Sequence, residues 1–232
     1  MIVILRRIKR ALIYSRYKFM SNEQIFASIY EKGKWGNDKT KKFYSGIGSH
    51  SSTLVDPYIK SLRHLFSEQG LNLSVADVGC GDLTVGIQTV ELFRIYYAID
   101  VAPNLIQFHR NHNSRDNLIF LQQDITTKKL PNVDIVIARQ CLQHLSNYQI
   151  LKFLLNLPND LRYLIVSEHV PSGFFQPNID IQTGHETRLV KKSGVVLHEH
   201  PFNLKFKAKN IICSVEDSNG AIITTCYENP QK

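Results

Sequence analysis

Between residues 73 and 167 short β-rich runs alternate with helical patterns, and this alternation constrains the fold more than any other feature of the chain. The runs are LSVADVG (73–79), IYYAID (95–100), LIFLQQ (118–123), VDIVIA (133–138) and RYLIVS (162–167). Helical patterns are expected at 83–93, 103–113 and near 147–157. Alternation of this kind gives a mostly parallel sheet covered on both faces. The chain then changes character. IICSVED, SNG and AIITTCY read as two strands joined by a glycine-containing turn, which is an antiparallel hairpin. The expected fold class is α/β: a doubly wound, mostly parallel seven-stranded sheet ending in an antiparallel hairpin, with helices on both faces. Upstream, Leu54, Val55, Tyr58, Ile59, Leu62, Leu65 and Phe66 recur at helical steps. Ser51, Ser52 or Thr53 can cap that helix, and Gly70 ends it.

The 232 residues fit one domain, and 43% hydrophobic residues suffice for a full core. Much of the net charge of +8 is local. Residues 1–20 hold Arg6, Arg7, Lys9, Arg10, Arg16 and Lys18 and no acid, which leaves the remainder near +2. The body is therefore not a basic nucleic-acid platform, and no nucleic-acid partner is expected. The arm reads as a surface helix or frayed terminus. Its alternatives are peripheral membrane contact through a basic amphipathic helix at residues 1–20, or translation from Met20. Neither a signal-peptide core nor a membrane-spanning run is expected. Cys80, Cys141, Cys213 and Cys226 form no C-x-x-C pair and read as reduced thiols of a cytoplasmic protein.

Ligands of open α/β sheets bind beyond the carboxyl ends of the strands. The first such end is VADVGCGDLTVG (75–86). Gly79 allows a tight turn and Gly81 a close ligand, but Thr84 stands where a dinucleotide fingerprint has its third glycine. Asp77 and Asp82 would repel a pyrophosphate and suit a cationic ligand. Asp100 ends the second run at the spacing of an acid that holds a ribose diol. Asp124, after the third, suits an adenine amino group, with Ile125 beside the ring. A cationic adenosine without phosphates points to S-adenosylmethionine (SAM).

These residues resemble the class I SAM-dependent methyltransferases. VADVGCGD resembles their motif I, YYAID motif II, LQQDI the acidic position after strand three, and DIVIARQCLQHL motif IV with its following segment. The resemblance runs over about residues 54–227. It implies that Asp77, Gly79 and Gly81 surround the methionine part, Asp100 holds the ribose and Asp124 the adenine. It also implies S-adenosylhomocysteine as product and a lid formed by the segment before motif I. Leu83 departs from the family, where many members have glycine; here it is expected only to start the helix at 83–93. On this reading residues 1–52 are arm and lid, and 53–232 the SAM-binding domain. Residues 170–204 are an insertion of the kind that shapes an acceptor pocket in such enzymes.

The expected acceptor is a small polar molecule methylated on oxygen. Sugar nucleotides, phosphorylated metabolites and glycan precursors are the leading classes. N-methylation of an amine, RNA or protein, and SAM binding without catalysis, remain alternatives. An oxygen acceptor calls for a base. His169, beside Glu168 at the end of strand five, and His144, after strand four, are candidates. Arg139 joins them as a catalytic candidate, with Gln140 as an acceptor contact. His50 belongs to the lid; Tyr44 and Trp35 are placed to pack on SAM or the acceptor. Arg188, with Lys191 and Lys192, would hold an anionic acceptor. His198-Glu199-His200 lacks a third ligand, so no metal is expected.

Overall fold

A computed structural model describes residues 13–67, 70–217 and 219–231. Residues 1–12, and with them most of the basic arm and its expected membrane contact, lie outside the described residues. Seven strands form one sheet in the order β3-β2-β1-β4-β5-β7-β6. They are β1 (Ser74–Val78), β2 (Ile95–Asp100), β3 (Leu118–Gln122), β4 (Ile135–Arg139), β5 (Tyr163–Val170), β6 (Ala208–Asp217) and β7 (Gly220–Glu228). β1 to β5 pair in parallel, and β7 runs antiparallel between β5 and β6. Strand order reverses between β1 and β4, which opens a crevice at their carboxyl ends, where such sheets take ligands.

The helices are α1 (Asn22–Glu31), α2 (Ser52–Phe66), α3 (Pro103–His112) and α4 (Asn147–Leu155). Three of these starts have a local cause, while Ser51 at the N-cap of α2 makes no side-chain capping bond. Ser21 and Gln24 form a reciprocal capping box on α1, Ser146 caps α4, and Pro103 sits in the first turn of α3. Helix α2 buries Leu54, Val55, Tyr58, Ile59, Leu62 and Phe66, one stripe at three- and four-residue steps. β1 is buried along its whole length. Val75 joins the core with α2, while Ala76 and Val78 join the core on the opposite face. Burial on both faces is why these strands read as continuous apolar runs.

One expected element is different. Residues 83–93 form no α-helix; two 3₁₀ turns, Gly86–Gln88 and Val90–Leu92, take its place. Leu83 does not start a helix but adopts φ of 62°, the left-handed conformation that glycine takes without cost. That conformation suits the glycine that the resemblance implies at this position. Apart from Gln88, the following TVGIQTV is β-branched or glycine, a poor helical run. Gly86 is also pressed onto the sheet: a Cβ there would meet Asp77 Oδ2 and the Tyr96 hydroxyl, both at 2.8 Å.

Residues 13–17 are helical and, with α1 and the chain to residue 50, cross the carboxyl end of the sheet. Residues 171–207 close the other flank, including the 3₁₀ turn Arg188–Lys191. Among the described residues no helix is long and apolar enough to cross a membrane, and all four cysteines are free.

Candidate active site

A cavity of about 1050 Å³, counting its mouth, opens at the carboxyl ends of β1, β2 and β4. Its floor is the set of strand ends: Asp77, Gly79, Gly81, Asp100, Asp124 and Ile125 all line it. The parallel register sets Asp77 beside Ala98 and Val78 beside Ala138, so three strand ends converge without long side chains having to reach. Asp100 is held rigidly: Oδ1 accepts from Ala102 N at 3.0 Å and Oδ2 from Gly81 N at 3.2 Å. A carboxylate has about four acceptor sites, so both oxygens retain capacity for a diol. Burial raises the Asp100 carboxyl above its ordinary value, against the backbone N–H groups that lower it. Asp124 spends more of its capacity within the protein, on Thr126 N, Thr126 Oγ1 and Asn22 Nδ2.

Asp77 is pushed up to about 6 by burial, opposed by the Tyr96 hydroxyl that donates to Oδ2 at 2.8 Å and by the charge of Arg139. A buried acid in this state gains most from a cationic ligand. The glycines give that ligand room. A Cβ on Gly79, at φ 70°, would come within 2.6 Å of Cys141 Sγ.

The roof comes from the segment before β1. Asn22, Phe26, Tyr30, Trp35, Ser45 and Ser49 all line the cavity. Three latches hold them down. Asn22 bridges to Asp124 and Thr126. Trp35 Nε1 donates to the His185 carbonyl at 3.1 Å. Asp82 accepts from Ser45 N at 2.8 Å and from His50 Nε2 at 2.7 Å, while its own N–H donates to Ser45 Oγ.

The remaining expected residues divide. Arg139 and Gln140 line the cavity; Gln140 has φ of 50°. His144 lines it too, in the 3₁₀ turn Leu142–His144, with its ring 5.0 Å from that of Trp35. Burial lowers it to about 4, against the Glu186 and Gly184 carbonyls. Nδ1 donates to Glu186 O at 3.2 Å, so the neutral ring carries its proton there. His50 and Tyr44 stack on each other at 4.2 Å behind the roof and are not among the lining residues.

His169 is not brought to the cavity. Strand alternation turns it to the face opposite Glu168, where Nε2 lies 3.7 Å from Asp217 Oδ2 on the hairpin. Glu168 does not face the cavity either. Its two oxygens accept from Leu142 N and Gln143 N, each at 2.9 Å, so it anchors the turn that presents His144. Burial pushes it up to about 8 despite those donors and Arg188. Arg188 differs most from expectation. It is 0% exposed, with Nη1 donating to Leu142 O and Nη2 to Asn147 Oδ1. A cation so enclosed supports the same turn rather than an anionic acceptor. No residue of 170–204 lines the cavity; the insertion reaches it one layer removed, through His185 O and Glu186 O.

Residues not singled out from sequence include Tyr58, Tyr30, Asn22, Gly86 and Gln123. The helical stripe places Tyr58 on the buried face of α2, but nothing in it tells a cavity wall from core.

A doubly wound sheet in the 3-2-1-4-5-7-6 order, with a cavity and acids at three of its strand ends, is a fold of the Rossmann-like type. Residues 75–162 match the family described as a methyltransferase domain. The fold is shared with solved structures at low identity. N-methyltransferase NodS from Bradyrhizobium japonicum WM9, in complex with S-adenosylhomocysteine, superposes with TM-score 0.57 at 12% identity, covering 87% of this chain and 98% of that one. Magnesium protoporphyrin IX methyltransferase from Synechocystis PCC 6803, with bound SAM, gives TM-score 0.54 at 14% identity, with coverages of 90% and 98%. The chain spans 60% of the length of a dimethyladenosine transferase from Plasmodium falciparum, at TM-score 0.46 and 12% identity over 75% of this chain. A search of curated proteins found no match. Among the described residues no group of His, Cys, Asp or Glu is arranged to hold a metal ion.

Proposed function

We propose that the chain methylates a small polar acceptor on oxygen, in the cytoplasm, and that the acceptor enters the end of the cavity bounded by Arg139, Gln140, His144 and the lid. One observation carries this reading: a single cavity is lined both by the acids suited to an adenosine and by Arg139, Gln140 and His144, with Trp35 packed on the His144 ring. SAM supplies an electrophilic methyl group on a sulfonium when bound. The work left to the protein is alignment and exclusion of water. The lid excludes water, and the latches at Asn22, Trp35 and Asp82 hold it closed.

His144 is assigned as proton acceptor through Nε2, because Nδ1 is committed to Glu186 O. A ring lowered to about 4 is a weak base. It suffices if the proton leaves late, since an alcohol oxygen becomes strongly acidic as it takes the methyl. Glu168 and Arg188 are positioning residues that hold the 142–147 segment.

The direct test measures S-adenosylhomocysteine release from SAM across sugar nucleotides, phosphorylated metabolites, amines and RNA. Turnover with a hydroxyl-bearing small molecule is expected. Turnover with RNA alone would overturn the acceptor assignment, and absence of any SAM or S-adenosylhomocysteine binding would overturn the cofactor assignment.

A further inference from the structure

A second cavity lies away from the strand ends, between the hairpin side of the sheet and the insertion. It holds about 670 Å³, counting its mouth, and shares no lining residue with the first. Strand alternation brings Val166, Glu168 and Val170 of β5 to the same face as Ile223, Thr225 and Tyr227 of β7. Register extends these rows onto β6: Lys209 stands opposite Tyr227, and Ile211 opposite Thr225. The cover over the rows is irregular backbone, Phe175 and residues 195–198, and not a helix. Such a cover has no regular stripe of side chains to interlock with the sheet, and a space is left between them. The space is closed at one end and open at the other. Val166, Glu168 and Val170 are buried, whereas on the edge strand β6 Lys209 is exposed and Ile211 is 62% exposed. Apolar cavities take apolar guests, and this volume lies within the range of small-molecule sites, about 300–1,000 Å³.

The polar groups at the mouth say which guest. Lys209 is the one lysine or arginine of the lining. Its Nζ donates to His198 Nε2 at 3.0 Å, so the neutral ring carries its proton on Nδ1 and donates it to the Tyr227 hydroxyl at 3.1 Å. Burial and the Lys209 charge lower His198 below the ordinary histidine range, which keeps that ring neutral. The relay holds the ammonium in place and uses one of its three donors. Lys209 forms no ion pair among the described residues. Glu168, the one acid of the wall, has both oxygens engaged by Leu142 N and Gln143 N. Burial pushes it up to about 8, so it opposes an anion little at neutral pH. One ammonium matches one negative charge; a phosphate brings nearly two. We propose that this cavity is a second ligand site, for a free alkyl carboxylic acid of medium chain length. Its chain lies between the sheet and residues 195–198, and its carboxylate sits on Lys209. The assignment does not depend on the SAM reading.

The test is calorimetry on the full chain with butanoate, hexanoate, octanoate, octanol and octylamine. Affinity of the wild type should rise about fourfold for each methylene added between butanoate and octanoate, the increment for burying one such group. Octanoate should bind about tenfold more tightly than octanol or octylamine. Lys209→Gln, a change on an exposed edge position, should abolish that preference and leave octanol within about twofold of wild type. Lys209→Glu should transfer the preference to octylamine. Absence of octanoate binding to the wild type would overturn the assignment, a result that needs no variant. So would an affinity independent of chain length, which marks surface charge alone, or equal losses of octanoate and octanol in Lys209→Gln. Octanoate displaced by S-adenosylhomocysteine would lie in the strand-end cavity and would also overturn it.

Discussion

The floor and the roof of the cavity are built by different means. The floor is made of short side chains at strand ends, Asp77, Asp100 and Asp124, all within residues 77–125 and all placed by parallel backbone register. The roof is made of large side chains, Phe26, Tyr30 and Trp35, held over the floor by bonds to residues far along the chain. Asn22 reaches Asp124, and Trp35 reaches the His185 carbonyl. In the floor, position in the local pattern implies position in space. In the roof it does not. A third layer, Glu168 and Arg188, lies outside this cavity and fixes the turn that joins the two.

The sharpest test of that three-layer division is Arg188→Met. The variant leaves Leu142 O and Asn147 Oδ1 without their donor and Glu168 without a nearby cation. Breaking a buried charged arrangement costs about 3–5 kcal/mol. Urea unfolding should show a loss of that order. If stability holds while the acceptor's KM rises, Arg188 belongs to the acceptor site and the division fails.

Next in size is Asp100→Ala, which tests the floor alone. It removes an acceptor for Gly81 N and Ala102 N as well as the carboxylate proposed to hold a ribose. Hydrogen bonds to a charged group contribute about 1.5–3 kcal/mol, so S-adenosylhomocysteine affinity should fall roughly 10- to 100-fold by calorimetry. An unchanged affinity would detach the strand-two acid from the nucleoside.

The same contrast explains what was legible beforehand. Seven strands, their order of appearance, the final hairpin and the floor residues follow from short β-rich runs and from the acids and glycines that end them. The helix expected at 83–93 does not form, because Leu83 takes a left-handed turn and Gly86 is pinned against Asp77. Both effects depend on residues across the sheet. Arg188 looked like an anion contact because charge is usually solvated, and only its tertiary partners make it internal. The aromatic residues of 26–35 carried no period that distinguishes a roof from a core.

A smaller effect, still on the floor, concerns pH. The Asp77 carboxyl titrates at about 6 in the folded protein, against 3.8 ordinarily. Its contribution to stability is therefore full below the ordinary value and is lost as pH rises through 6. Affinity for a cationic ligand runs the other way, because only the ionised carboxyl attracts it. S-adenosylhomocysteine, which keeps its ammonium, should bind about tenfold more weakly at pH 5 than at pH 7. Asp77→Asn, which still accepts from Tyr96, should flatten that dependence. A slope that survives the substitution would assign the titration to another group, Asp100 first.

The smallest expected effect bears on where the roof side ends. His169 lies at the end of β5, the place from which a base would be chosen by sequence, yet its ring faces Asp217 and not the cavity. Its Nε2 has no hydrogen-bond partner, and burial lowers it below the ordinary histidine range, so it is neutral at pH 7. A neutral ring without a hydrogen bond contributes mainly packing, and His169→Phe keeps most of that. Turnover and S-adenosylhomocysteine affinity should each change less than about twofold, since substitutions that leave a site's contacts intact stay near 0.5 kcal/mol. His144→Gln, by contrast, should lower kcat with cofactor affinity kept. If the two variants exchange these outcomes, strand alternation is a poor guide to this end of β5, and the base lies on the hairpin side of the sheet.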